Sequence, residues 1–331
     1  VATVLVGLYL VHVDRERRAV EFEGRAVEIG WRFFDGLHTL ENDHLGPLAA
    51  LVAGHETIRH DEFAAVAGVM AEKTAIHTFA WIPEVLPREV EAFEERMTRE
   101  LGMPFRIWEP GPSGTRRRPS PRAAYYPAAM LEPSNGTEPA LGFDGNANAS
   151  RAKALRLAKR TGLSVATDPV ILAGGLASED PTVIVYRPVT SGDGAKFHGF
   201  VAAAIRIGHY LETILSSKTA RTPNMRVLLQ QVDSGDGPLG TIAGLEVDES
   251  GGGSADSGPR SHTVPGFYFG KTYFLKVLAE RPSWHEAFPM AAAKTFFGGG
   301  LITILAGATT FLLMRYRRSL EAQVASRTAE L

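Results

Sequence analysis

Apolar positions fall into two kinds of run along this chain: stretches with a helical period in the first hundred residues, and short strand-like stretches afterwards. An apolar run lies at or near each end. "FFGGGLITILAGATTFLLM", residues 296–314, has no charge over 19 positions, about what crosses a ~30 Å hydrocarbon core. Gly299, Thr303 and Gly307 recur every fourth residue in it, a small-residue seam that lets two such helices approach closely. Arg315, Arg317 and Arg318 follow, which by the positive-inside rule puts that side in the cytoplasm. Leu313 and Leu320 are seven apart, as are Val324 and Leu331, so a heptad seam is predicted over 315–331. At the other end "VATVLVGLYLVHV", residues 1–13, is too short to span. It reads as the tail of a truncated first transmembrane helix, with a signal-sequence remnant as the alternative. Arg15, Arg17 and Arg18 run against the usual charge bias if residues 20–290 are external.

Between the ends, Val20, Val27 and Phe34 are seven apart, with Trp31 and Leu37 nearby. This single stripe predicts a long helix, serving either as a dimer stalk or as a face packed on its own domain. Helices are predicted over 61–73 and 87–101, the latter with Pro87 at its first turn. "GMPFRIWE" (102–109) is strand-like, and "PGPSGTRRRPSPR" (110–122) is a solvated loop. Strands are predicted at 123–131, 164–172, 182–189 and 198–207. A helix over 150–160 separates the first two, with Ser150 as N-cap and Gly162 past its end. A short helix near 208–216 precedes strands at 225–232, 240–247 and 266–278, and "DESGGGSADSGPRSH" (248–262) interrupts them as a surface loop. Helices first and hairpin-like strands afterwards make the fold class α+β.

Composition narrows the function classes. At 331 residues the chain can hold one large or two modest domains. Lysine plus arginine total 35 and aspartate plus glutamate 37, so no basic field attracts nucleic acid. Without cysteine there is no disulfide, thiolate metal site or cysteine nucleophile. His55 and His60 are five apart, where a helical zinc pair needs four. Neither a phosphate loop ending in Gly-Lys-Ser/Thr nor a Gly-x-Ser-x-Gly elbow occurs. No catalytic residue, metal or cofactor is therefore expected in these residues, and the architecture suits a receptor better than an enzyme.

From "FAWIPEVLPREVEAFEE" (79–95) onward the chain resembles the CHASE domain, the extracellular sensory module of bacterial and plant receptor kinases and cyclases. "AAYYPAAMLEP", "LGFDGNANASRAKALRLAKRTG", "SVATDPVIL", "VIVYRPV" and "GFVAAAI" continue the resemblance in the family's order over roughly 60–215. It implies a long stalk helix and two PAS-like antiparallel α/β subdomains, the membrane-distal one holding a small ligand. In plant members an aspartate in the segment matching "LGFDGNA" hydrogen-bonds an adenine-type cytokinin; that position is Asp144. The resemblance likewise nominates Val165 and Thr167 on a pocket-lining strand. Tyr125, Tyr126 and Tyr186 lie on neighbouring predicted strands. The rest of the plant pocket is not recognisable, so ligand identity does not transfer. A salt bridge to Arg151, seven residues on, is the structural alternative for Asp144.

The expected organisation is a truncated first transmembrane helix (1–13), a stalk (14–58), a membrane-distal PAS-like part (59–215), a membrane-proximal PAS-like part (216–290), a transmembrane helix (295–314) and the start of a signalling coiled coil (315–331). The expected protein is the sensor and membrane portion of a dimeric receptor in the cell membrane. Its partners are an external small-molecule ligand, membrane lipid and a second copy through stalk, membrane helix and coil, with a histidine kinase or a diguanylate cyclase as the output. The rival is a membrane-tethered interaction module without a small ligand. An enclosed pocket of a few hundred Å³ near Asp144 would favour the receptor.

Overall fold

The computed structural model describes residues 2–72, 74–112, 114–133, 137–172, 181–192, 194, 196–216, 225–232, 240–246, 260–279 and 290–329. In chain order the elements are helix α1 (Ala2–Thr39), a π-helical segment (Leu40–Leu45), α2 (Gly46–Ala53), α3 (His60–Glu72), strand β1 (Thr78–Pro83) and α4 (Val90–Leu101). Short strands β2 (Glu109–Pro110), β3 (Arg116–Arg117) and β4 (Met130–Glu132) come next, then α5 (Ala149–Thr161), β5 (Val165–Ala166), β6 (Thr182–Thr190), β7 (Phe197–Arg206) and α6 (Ile207–Ser216). Strands β8 (Met225–Gln231), β9 (Gly240–Glu246), β10 (Arg260–Tyr268) and β11 (Lys271–Ala279) precede the last helix, α7 (Met290–Ala329). The chain divides into two compact units, Arg25–Glu280 and a second made of Val1–Gly24 with Arg281–Leu331.

Arg25–Glu280 holds two larger antiparallel sheets and the two-stranded β2-β3 pair, so the α+β class stands. The first has the order β4-β1-β7-β6-β5, which is 2-1-5-4-3 in sequence of occurrence, the PAS-like arrangement. The second has the order β10-β11-β8-β9, the same pattern with one strand fewer among the described residues. β1 is central in the first sheet, paired with β4 on one side and β7 on the other. All six of its residues are buried. A strand covered on both faces has no alternation to display, and sequence patterning accordingly missed it.

Other expectations change as well: the strands predicted over 102–109 and 164–172 shrink to Glu109–Pro110 and Val165–Ala166. Of the strand predicted over 123–131, only Met130–Glu132 forms one; Tyr125 and Pro127 make single bridges to Val85 and Asp144. The strand predicted over 266–278 is two strands joined by a tight turn. Phe269 and Gly270 occupy the left-handed region there, at φ 52° and 72°, as a two-residue hairpin loop requires. The first of these strands, β10, begins at Arg260 inside the predicted loop 248–262; residues 248–259 lie outside the described residues. Pro265 sits in β10, an edge strand, where a missing N–H costs no ladder bond. Finally, α5 is capped by Asn148, whose side chain accepts from Arg151 N at 3.1 Å. Ser150 Oγ instead accepts from Asp168 N at 2.9 Å, tying the start of α5 to the segment after β5. Gly162 ends the helix in the left-handed conformation.

From Ala26 on, the long helix packs on its own domain. Ala26, Ile29, Phe33, Phe34 and Leu37 are buried, whereas Val20 and Trp31 are exposed. The Phe34 ring stacks on Tyr268 of β10 at 5.4 Å. The wider turn of the π segment shifts the apolar stripe, so that Leu45, Leu48 and Val52 are buried beyond it and Glu41 meets Arg187 of β6. Close approach of helix and second sheet depends on paired glycines: a Cβ on Gly30 would strike Val264, and one on Gly266 would strike the Phe34 ring.

In the other unit, Gly7 of α1 lies against the Phe296 ring of α7. Ala293–Ser319 within α7 is the one helix among the described residues long and apolar enough to cross a membrane, and none of it is buried. α7 continues unbroken to Ala329. The side chains of Leu320 and Val324, and Leu331 altogether, lie outside the described residues.

Gly266→Val should lower stability in denaturant melts by about 1–3 kcal/mol through overpacking against Phe34. Gly24→Ala, in open space on α1, should raise it by about 0.5–1 kcal/mol.

Candidate functional site

The first sheet presents one row of cross-strand partners to α5: Leu131, Ala80, Ala202, Tyr186 and Val165. The adjacent row is Thr78, Ala204 and Ile184. Tyr186, Phe200, Tyr126 and Leu155 fill the core around these rows. Three methyl groups at Ala80, Ala202 and Ala204 do not, and a cavity of about 60 Å³ remains over them. It is smaller than the pocket anticipated. Ala128, Ala140 and Leu172 line it on the loop side, and Arg151 enters it from the first turn of α5.

Among the described residues Arg151 is the one charged group in that lining apart from the titratable His77. It is 8% exposed. Its Nε has no hydrogen-bond partner, and no carboxylate among the described residues pairs with it. The guanidinium carbon stands 4.6 Å from the centroid of the Phe143 ring, which covers one face of the cation. Burial lowers its pKa, opposed by the nearby Tyr186. The Thr78 hydroxyl lines the same cavity, is buried and also lacks a partner. Burial lowers the pKa of His77 too, with the charges of Arg206 and His209 adding to it. Tyr186 is buried and its pKa is raised by burial.

Asp144 performs a different task. It is fully buried, and its Oδ1 accepts from the backbone N–H of Tyr126 at 2.9 Å and of Asn146 at 3.1 Å. Its Oδ2 accepts from Arg122 Nη1 at 2.6 Å, so the salt-bridge partner is Arg122 and not Arg151. The second nitrogen of Arg122 reaches Glu109 Oε2 at 2.6 Å, and Glu109 also accepts from Ser120 at 2.8 Å. This network staples loop 120–128 to the turn before α5. Gly142 makes the approach possible at φ 77°, since a Cβ there would fall on the carbonyl of Arg106. Burial raises the Asp144 pKa above the usual 3.8, only partly offset by Tyr126, Asn146 and Arg122. For Glu109 and Asp168 burial raises the pKa but is outweighed: by Ser120 and Arg122 in one case and mainly by Lys271 in the other, so both end lowered.

Of the six residues nominated from the sequence, Tyr186 lines the cavity. Val165 is its cross-strand partner, buried in the same core. Thr167 Oγ1 accepts from Ile184 N at 3.0 Å and so completes the strand pairing. Tyr125 bridges Val85. Tyr126 donates its hydroxyl to Glu84 at 2.7 Å, and burial followed by that contact raises its pKa. A wider depression of about 530 Å³ opens on the opposite face, beside Trp81 and Met130. Its rim carries Glu84, Arg88, Glu89 and Arg96, acids and bases that compensate locally.

The CHASE-domain family model matches residues 56–239, more than half of the chain. The chain belongs to the CHASE-domain family. No curated protein matches it. Solved structures similar to it include an extracellular ligand binding receptor from Desulfohalobium retbaense, at 13% identity and TM-score 0.47 over 78% of this chain. The chain spans 40% of that receptor's length. Another is the periplasmic sensory domain of the Campylobacter jejuni chemoreceptor Tlp1, at 11% identity and TM-score 0.48, covering 85% of this chain and 99% of that one. In this CHASE domain the residues that sequence reading missed, Thr78, Ala80, Ala202 and Ala204, left one signal. "GFVAAAI" places alanines, poor strand formers, at the middle of a strand.

Asp144→Ala should destabilise the chain by about 3 kcal/mol, and Asp144→Asn by less, because an amide oxygen still accepts the backbone N–H groups. The pH profile has two opposing parts. Glu109 and Asp168 lend stability that is present above pH 4.5 and 3.8, their ordinary values, and lost as pH falls through their lowered folded values. Asp144, with its raised pKa, lends stability below 3.8 that is lost as pH rises through its folded value. Melts of Asp144→Asn across pH 3–6, read against about 1.4 kcal/mol per pKa unit, should therefore climb more steeply with pH than those of the parent.

Proposed function

We propose that this chain is the extracytoplasmic sensor and membrane portion of a signalling receptor, with a small molecule received in the cavity over Ala80, Ala202 and Ala204. The observation that carries this reading is a cavity in the core of a PAS-like sheet, entered by a cation with no counter-ion among the described residues. Tyr186 walls the cavity. Val165 and Thr167 hold the strand beside it, and Asp144 with Tyr126 holds the loop that closes it. Residues 59–215 act as the membrane-distal part and 216–290 as the membrane-proximal part. Residues 295–314 span the cell membrane among its lipids, and 315–331 enter the cytoplasm as a signalling coil.

Transmission follows from connections at the cavity's edge. Ala166 N donates to Phe269 O at 2.9 Å, and Asp168 takes an ion pair from Lys271 and a 3.1 Å hydrogen bond from Gln231. The strand beside the cavity is thus bonded to the second sheet, which packs on α1. A ligand that shifts β5 shifts this contact, and its differential affinity sets how far the population moves. The receptor works as a homodimer through stalk, membrane helix and coil, with a histidine kinase as first choice of output and a diguanylate cyclase as second.

Ala202→Leu fills the centre of the cavity and tests the reading. The full chain is purified in mild detergent beside this variant, and small molecules extracted from both are compared by mass spectrometry. A compound should accompany the parent and be missing from the variant. Re-added at about a hundredfold excess over its Kd, it should raise the parent's melting temperature by roughly 5–10 °C and leave the variant unmoved. A parent that yields no compound and a variant that only gains stability would refute the sensor reading.

A further inference from the structure

The polar groups of the cavity specify what enters it. We infer that the ligand is a small organic monocarboxylate whose carboxylate pairs with the Arg151 guanidinium while its apolar end lies on the alanine floor. This rests on the proposed sensor reading and adds the chemical class of the ligand.

Charge comes first. A buried cation without a counter-ion is costly, and among the described residues Arg151 has none, with its Nε unsatisfied. Phe143 covers a face of the guanidinium, leaving the planar edge, whose fork of donors matches a carboxylate in two parallel hydrogen bonds. The described lining contains no aspartate or glutamate. Nothing there balances an ammonium group, so amino acids and amines are disfavoured. A phosphate dianion is disfavoured as well, because its additional oxygens and second charge would face alanine and leucine.

Size comes next. A site of about 60 Å³, at ~10–15 Å³ per water-sized sphere, admits roughly four to six non-hydrogen atoms. Acetate, propionate and pyruvate fall in that range. The unpartnered Thr78 hydroxyl lines the same cavity and supplies a hydrogen bond to a carboxylate oxygen or to a keto group. An apolar slot with a few convergent polar groups is the usual build of a small-molecule site. His77 Nε2 faces the Arg206 guanidinium at 3.2 Å and burial lowers its pKa, whereas the Arg151 guanidinium is a permanent positive charge.

The test uses the full chain in detergent at constant ionic strength, titrated with sodium acetate, propionate and pyruvate, with acetamide and propionamide as neutral isosteres and with inorganic phosphate. Thermal shift and calorimetry are the readouts. At least one carboxylate should bind saturably, and the amides and phosphate should bind at least tenfold more weakly. Arg151→Gln should weaken the carboxylate at least about thirtyfold. Without ligand, Arg151→Gln should melt at or above the parent, because it removes an uncompensated buried charge; that result also shows that the variant folds. Amides binding as well as carboxylates, phosphate binding best, or an Arg151→Gln affinity within threefold of the parent would overturn the inference. So would failure of all three carboxylates. The sensor reading itself falls only if the extraction experiment with Ala202→Leu also fails.

Discussion

Two alanines side by side at the centre of a five-stranded sheet, Ala80 and Ala202, force a choice on the helix above them. Close packing favours collapse onto the methyl groups, since interiors tolerate few voids. Here α5 is held off the sheet by bulk on either side. Tyr186 and Phe200 meet edge to face at 6.0 Å, and Tyr126 meets Phe200 at 5.4 Å. Leu155 and Ala158 of the helix rest on that aromatic cluster. The void that survives is the one Arg151 enters, and the rest of the domain is arranged to keep it.

The wall of that void is built from loops, and loops need internal hydrogen bonds when they are buried. Asp144 supplies them. By accepting from two backbone amides and one guanidinium it supplements the single bridges of residues 122–128. Around it, Trp108 N donates to Gly142 O and Asp144 N to Trp108 O, both at 2.9 Å. The raised pKa of Asp144 shows that its carboxylate sits there against the cost of burial. The same segment ends in Asn148, the cap of α5, so the placement of Arg151 two residues into the helix is fixed by the staple that precedes it. The far side of the cavity is continuous with the second sheet through Asp168, Lys271 and Gln231. Cross-strand pairing of Ala202 with Tyr186 and of Tyr186 with Val165 connects the floor of the cavity to the segment whose Asp168 pairs with Lys271 of the hairpin that packs on α1.

Legibility in the sequence followed the kind of interaction. β6, β7 and β8 fell close to their predicted places, and α5 ended at Gly162 as its left-handed cap requires. Local steric rules fix such features. β1 was invisible because six consecutive buried positions carry no period. The strand expected over 123–131 is reduced to single bridges and β4, with the Tyr126 N–H taken by the side chain of Asp144. The break at Phe269 and Gly270 was hidden by an aromatic residue in a conformation that usually marks glycine or asparagine. Asp144 was singled out correctly as a buried carboxylate requiring a partner, yet the partner came from Arg122, 22 residues upstream in a loop read as solvated.

By itself, then, the sequence determined the α+β class, the apolar span at the C-terminal end, the family and the peculiarity of the segment around Asp144. Each is written in composition, in local periodicity or in the order of short motifs, and none requires knowing which distant residues meet. Only the tertiary structure decided that the alanines of "GFVAAAI" lie beside Ala80, that the helix over 150–160 aims an arginine at them, and that the long helix from Ala26 onward packs on its own domain. A cavity is a property of residues that fail to fill shared space. Its members here come from β1, β7, α5 and the loops between them, and strand register, not sequence spacing, brings them together.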